Sequence, residues 1–140
     1  MAGKKRACTQ CSKPNAVPPA RLCPTCKRVN KKAAAKRAHG TAIFKRYGIT
    51  GEQYDQLYEA QGGKCAVCRT STGASKRLAV DHDHNCCPSG SSCGKCIRGL
   101  VCGRCNHNLL GAAHDTTDIL QRALDYLRNP PAQAILKGEV

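Results

Sequence analysis

Two Cys-x-x-Cys pairs enclose a histidine–aspartate cluster, and this spacing limits the folds open to the chain more than any other feature. Cys65-Ala-Val-Cys68 comes first, then Asp81-His82-Asp83-His84, and then Cys102-Gly-Arg-Cys105, which runs directly into Asn106. Four thiolates so arranged close one tetrahedral zinc site. The site would draw the ends of a long loop together and hold Asp81 and His82 close to Asn106. With 140 residues, no Trp, one Phe and four Tyr, the chain has little material for an apolar core. Small cores need a staple, and twelve cysteines can provide it.

Metal outranks disulfide as the use of these sulfurs. Lys4-Lys5-Arg6 is followed by Ala7-Cys8-Thr9-Gln10 rather than an apolar stretch, so nothing reads as a secretory signal. No run reaches transmembrane length, which excludes a membrane partner of the helical kind. A cytoplasmic chain keeps its thiols reduced. Cys8-Thr-Gln-Cys11 and Cys23-Pro-Thr-Cys26 are eleven residues apart, with Pro14, Pro18 and Pro19 among them, and form a second zinc knuckle. Cys86-Cys87 and Cys93-Gly-Lys-Cys96 lie inside the loop between the Cys65/Cys68 and Cys102/Cys105 pairs. They are read as a third four-sulfur zinc site. Alternatives are three of these sulfurs with a histidine, or a redox-labile loop. The expected role of this group is to stiffen the loop after His84, and function is not expected to depend on it.

The net charge of +14 is unevenly spread. Through Gly51 there are thirteen Lys and Arg and no acid; from Glu52 onward ten basic residues face nine acidic ones. A basic arm of this kind points to a polyanion, and nucleic acid fits best. The organisation reads as a four-cysteine zinc knuckle over 1–30, a basic helical linker over 31–48, a catalytic domain over 49–129 and a tail over 130–140. A helix is predicted from Asn30 to Tyr47. It has few apolar side chains to bury before Ile43 and Phe44, and Gly40 as a potential break. His39 is read as a surface residue. Thr50-Gly-Glu-Gln53 has the form of a capping box and opens a helix to about Gln61, ended by Gly62-Gly63. Leu78-Ala79-Val80 predicts a strand that delivers Asp81 and His82. Ile97 to Val101 predicts the returning strand, with Gly99 permitting close approach. Cys102 to Gly111 turns into a helix. Asp115, Thr116 or Thr117 caps a last helix to about Arg128, stopped by Pro130-Pro131. Its stripe of Ile119, Leu120, Ala123, Leu124 and Leu127 serves either a core or a dimer surface.

The ordered set of a Cys-x-x-Cys knuckle, Val-Asp-His-Asp-His and Arg-Gly-Leu-Val-Cys-x-x-Cys-Asn-x-x-Leu-Leu-Gly resembles the phage recombination endonuclease VII family. That family belongs to the HNH or His-Me finger nucleases. The resemblance covers roughly Tyr47 to Asp115. It implies a small α+β, zinc-stapled domain with a ββα-metal core. It also implies cleavage of branched DNA such as Holliday junctions, an intertwined homodimer, and a setting in phage-infected bacterial cytoplasm. By the same resemblance Cys65, Cys68, Cys102 and Cys105 hold structural zinc. Asp81 and Asn106 hold the catalytic divalent cation, His82 is the general base, and His84 assists near the scissile phosphate. Family members can carry an acid shortly after the Asn; this chain has His107, Asn108, Leu109 and Leu110 there.

The residue types suit the chemistry. Neutral imidazole titrates near neutral pH and can take a proton from water. The Asp81 carboxylate and the Asn106 amide are hard oxygen donors of the kind Mg2+ or Mn2+ takes. Asp83 is read as a support or an orienter of histidine, and His107 and His114 as surface or capping residues. A general HNH nickase or homing-type nuclease is a second enzyme reading. A non-catalytic zinc-finger DNA-binding protein is the reading from a different class.

Overall fold

The computed structural model describes residues 5–137. The chain divides into two compact units, Met1–Tyr54 and Asp55–Val140. In the first, Cys8, Ala16, Cys23 and Cys26 form a small buried cluster with Leu22 packed against it. Backbone bonds between Arg6 and Ala16 close its entry turn, at 2.8 and 3.1 Å. Helix α1 runs Pro24–Tyr47, starting six residues before the predicted point. The reason is local. Pro24 occupies the first turn, where its missing N–H costs nothing, and the Cys23 sulfur caps the Cys26 N–H. The helix passes through Gly40 unbroken. A Cβ at Gly40 would sit 3.4 Å from Gly51 Cα, so the missing side chain admits a close backbone approach. Gly48, at φ 70°, ends α1 in the left-handed conformation. His39 is half-buried rather than a surface residue, because its ring meets Tyr54 edge-on at 4.8 Å.

Helix α2, Gly51–Ala60, begins with the predicted capping box. Thr50 N–H donates to Gln53 Oε1 at 2.7 Å, and Gln53 N–H donates to Thr50 Oγ1 at 3.2 Å. Gly62 and Gly63, at φ 67° and 69°, end it. In the second unit the sheet has two antiparallel strands, β1 (Ala79–His82) and β2 (Ile97–Val101). The register pairs Ala79 with Val101, Val80 with Leu100, Asp81 with Gly99 and His82 with Ile97. A π-helix follows over Arg104–Leu110, marked by the Gly111 N–H donating to Asn106 O five residues back. Helix α3 covers Thr117–Arg128. Pro131 then opens α4 (Pro131–Lys137) where a tail was expected. Among the described residues the chain is thus a small α+β protein with a two-stranded sheet and three cysteine clusters.

A two-stranded ribbon is marginal alone, and non-strand groups complete this one. Gln61 behaves as a surrogate strand: its amide nitrogen donates to Leu100 O at 2.9 Å, and Leu100 N–H donates to its Oε1 at 2.8 Å. Ala66 N–H also donates to Leu100 O, at 3.0 Å. A Cβ on Gly99 would come within 3.0 Å of Gln61 Oε1, which is the close approach predicted there. Leu100 is fully buried, with Val80, Val101 and Leu78 around it. The stripe on α3 adds little, for that helix buries no residue.

Replacing Gln61 with Leu strands the Leu100 N–H, leaves its carbonyl to the Ala66 N–H alone, and should cost about 1–3 kcal/mol in chemical denaturation of the zinc-loaded protein. Gln53→Ala, on an exposed helix start, should cost about 1 kcal/mol or less. Equal losses would show that Gln61 is not a strand surrogate.

Candidate functional site

The three cysteine groups each bring four sulfurs within 4.8 Å of one another: Cys8/Cys11/Cys23/Cys26, Cys65/Cys68/Cys102/Cys105 and Cys86/Cys87/Cys93/Cys96. A tetrahedron with Zn–S bonds of about 2.3 Å has edges of about 3.8 Å. The observed S···S separations match: 3.8 Å for Cys11–Cys23, 3.9 Å for Cys68–Cys102, and 3.9, 4.0 and 3.9 Å for Cys86–Cys93, Cys86–Cys87 and Cys93–Cys96. Backbone and hydroxyl donors prepare individual sulfurs as thiolates. Cys102 N–H donates to Cys65 Sγ at 3.2 Å, and Thr70 Oγ1 to Cys68 Sγ at 3.2 Å. The Thr70 hydroxyl, with backbone N–H groups, brings Cys68 down to about 5. The Cys23 N–H does most to bring Cys8 to about 6. Their neighbours go the other way. Burial and the adjacent sulfurs push Cys105 up to about 12, and the sulfur of Cys23 does most to push Cys26 there. Four thiolates at these distances need a cation between them, so all three groups have the donors and spacing of structural zinc sites.

The end of β1 carries the second system. Asp81 and His82 are both buried, at 5 % exposure. Between the pairs Asp81↔Gly99 and His82↔Ile97, β2 holds one extra residue, Arg98. This β-bulge re-aims the guanidinium. Arg98 Nε donates to Asp81 Oδ2 at 2.8 Å and its Nη2 to Asp81 Oδ1 at 3.1 Å, a bidentate pair. The same Nη2 donates to Asp115 Oδ1 at 2.7 Å. Asp115 Oδ2 in turn meets His84 Nδ1 at 2.5 Å. The Asp81–Arg98–Asp115–His84 chain raises the Arg98 pKa, chiefly through Asp81. Burial opposes the charge on Asp115, yet the hydrogen bonds from His84 and Arg98 outweigh it and hold its carboxyl below the usual value. Arg98 and Asp115 were missed as site residues by the sequence reading. Asp115 looked like a helix cap, but Thr116 holds that position and Asp115 turns inward at φ 55°. The bulge has no sequence signature beyond Gly99.

His82 Nε2 lies 3.2 Å from both Cys87 O and Ser89 O. Carbonyls only accept, so Nε2 must carry the proton, and in the neutral ring Nδ1 holds the lone pair. The His84 ring lies 4.6 Å away, centroid to centroid. Asp83 orients neither histidine: its Oδ1 accepts from Asn85 N–H at 2.9 Å and supports the turn. Asn106 lies on the π-helix directly after Cys105, its N–H donating to Cys102 O at 2.9 Å. The Asp81 carboxylate pairs with Arg98 rather than with Asn106. A cavity of about 280 Å³ opens beside the pair, lined by Asp81, Arg98 and Asp115 together with apolar Val67, Leu110 and Leu120. Leu120 is the one member of the α3 stripe at its wall.

Residues 40–129 match the family model described as recombination endonuclease VII, and the chain belongs to that family. It is 44 % identical over 118 residues to the Gene 59 protein of Mycobacterium phage D29, a match covering 84 % of this chain and 67 % of that protein. The Gene 59 protein of Mycobacterium phage L5 is 42 % identical over the same shares. No solved structure matches the chain. No helix among the described residues is long and apolar enough to cross a membrane.

Asp115 supplies a pH test of the network. Its folded pKa is depressed, so its contribution is full above the unfolded carboxylate value of about 3.9 and is lost as pH falls through the folded value. In unfolding titrations the wild type should lose its advantage over Asp115→Asn as pH drops through that window. A difference independent of pH there would remove the ionised Asp115 from the network.

Proposed function

We propose that this chain is a metal-dependent DNA endonuclease that hydrolyses phosphodiester bonds in branched DNA such as Holliday junctions. Its core would be of the HNH ββα-metal kind, with β1, β2 and the π-helix as its elements. The observation that carries the reading is the setting of His82. Two carbonyls on Nε2 fix the tautomer in which Nδ1 is the basic nitrogen, and this ring directly follows the buried carboxylate of Asp81. A general base held in one tautomer is what proton removal from water requires.

The donor set suits a hard dication. Each Asp81 oxygen spends one of its two lone-pair directions on Arg98. The carboxylate can therefore accept Mg2+ or Mn2+ as well, with the Asn106 amide oxygen as the second protein ligand. When bound, the cation would neutralise phosphate charge and stabilise the departing 3′ oxygen. His82 takes the proton from the attacking water. Arg98, held between Asp81 and Asp115, adds positive charge at the phosphate, and His84, tethered to Asp115, lies at the open edge of the site. A groove of about 510 Å³ beside the Cys65–Cys105 sulfurs, lined by Lys76, Arg77 and Arg104, gives DNA a basic path. The acid-free stretch through Gly51 adds a second basic surface. The exposed apolar residues Leu124, Leu127, Ile135 and Leu136 of α3 and α4 are the ones a second copy would cover in a homodimer. The setting would be the cytoplasm of an infected bacterium.

With Mg2+ the protein should cut a four-way junction in preference to its matched duplex, and cutting should stop when the dication is omitted. His82→Ala should lower kcat by about 10²–10⁴-fold while zinc content and DNA affinity stay near wild type. Full activity in that variant would end the base assignment. Equal cutting of junction and duplex would end the claim of branch selectivity and favour a general nickase. Binding without cleavage at any dication concentration would favour a non-catalytic DNA-binding protein.

A further inference from the structure

The carbonyls that hold His82 belong to Cys87 and Ser89, inside the segment enclosed by the third sulfur group. We infer that zinc at Cys86, Cys87, Cys93 and Cys96 is a positioning device for His82, so that nuclease activity follows the occupancy of this one site. The inference rests on the assignment of His82 as the base.

Three observations carry it. First, the loop 83–96 has no aliphatic or aromatic residue other than Pro88 and His84. Burial of apolar surface therefore cannot order it against the entropy of its fourteen residues. Second, its own hydrogen bonds are few and small. Asp83 N–H donates to Cys96 O at 3.0 Å and closes the base of the loop, Cys87 N–H donates to Asp83 O at 3.0 Å, and serine hydroxyls brace the tip. Third, the sulfurs already stand at tetrahedral edge lengths, with Cys86 and Cys93 exposed. One dication here would fix both ends of the segment bearing the two carbonyls. Those carbonyls select the Nε2–H tautomer and leave Nδ1 basic. Without the metal the carbonyls would be held in register with the imidazole by short-range hydrogen bonds such as that of Cys87 N–H to Asp83 O, with no cross-link between the ends of the segment. The group is thus more than a stiffener of a surface loop: it acts on the base through the backbone, as outer-shell partners act on metal-bound histidines.

The test uses the full chain with Cys86→Ser and Cys93→Ser together. The wild type should contain three zinc ions by elemental analysis and the double variant two. The variant should keep its helix content and its affinity for a junction, with KM within about twofold of wild type, while kcat falls by about 10–100-fold. The decisive signature is the imidazole ¹⁵N spectrum of His82, which a merely structural role would not move. It should report one Nε2–H tautomer in the wild type and a tautomer mixture in the variant. Cys93→His, which keeps a zinc ligand, should restore both the third zinc and the single tautomer. Wild-type kcat with two zinc ions, or an unchanged His82 tautomer, would overturn the inference, as would two zinc ions in the wild type. If the double variant loses all three zinc ions, Cys86→Ser alone carries the comparison. Failure to separate this zinc from the others even there overturns a local role. The zinc count and the tautomer are read without cleavage, so a protein that never cuts DNA would end the nuclease reading and leave these two results standing on their own.

Discussion

The four sulfurs of Cys65, Cys68, Cys102 and Cys105 do for this protein what an apolar core does for a larger one. They join the knuckle before β1 to the residues just after β2, and the loop between the strands carries its own four-sulfur group at Cys86, Cys87, Cys93 and Cys96. Their effect reaches the sheet directly. Cys102 N–H bonds the Cys65 sulfur, and Ala66 N–H bonds the Leu100 carbonyl, so the knuckle and β2 are stitched on both sides of the metal ligands. Gln61 then fills the remaining edge of Leu100. Two short strands, which would not persist in isolation, become a rigid platform. Asp81 and His82 occupy the final positions of β1, and their placement is only as firm as that platform.

The bulge at Arg98 turns the platform into a site. Regular pairing would set Arg98 opposite His82 and leave the buried carboxylate of Asp81 without a cation. The extra residue brings the guanidinium onto both Asp81 oxygens and leaves one of its nitrogens for Asp115. Arg98 thereby ties the end of β1 to Asp115, just before α3, through one guanidinium.

Much of this could be read from the residues. The paired cysteines, the capping box at Thr50 and Gln53, the two strands and the end of α3 at Arg128 follow from spacing and local propensity, which act over a few residues. What escaped the sequence depends on partners far apart in the chain. Asp115 has the local form of a helix cap and becomes a ligand of Arg98 only because the bulge aims Arg98 at it. His39 gains its half-buried setting from Tyr54, fifteen residues on. Helix α1 starts early because a cysteine assigned to metal also serves as its N-cap. Asp83 is adjacent to both histidines in sequence and serves neither, since its carboxylate is spent on the Asn85 N–H.

Soft and hard donors are kept apart in this chain, and that separation has a physical consequence at His82. Thiolates retain zinc tightly, whereas Asp81 and Asn106, in the proposed function, would offer oxygen donors to an exchangeable cation. The two kinds of site meet through one imidazole. His82 follows Asp81 on β1, so the hard-donor side fixes where the ring begins. Its Nε2 ends on carbonyls of the loop bound by Cys86, Cys87, Cys93 and Cys96, so the soft-donor side fixes how the ring is turned. A strand end alone would leave the ring free to rotate about its side-chain bonds. The loop alone, lacking apolar residues, would not stay folded. In the proposed reading the two together define both the position and the tautomer of the base, which would give Cys86, Cys87, Cys93 and Cys96 a part in the chemistry as well as in the scaffold.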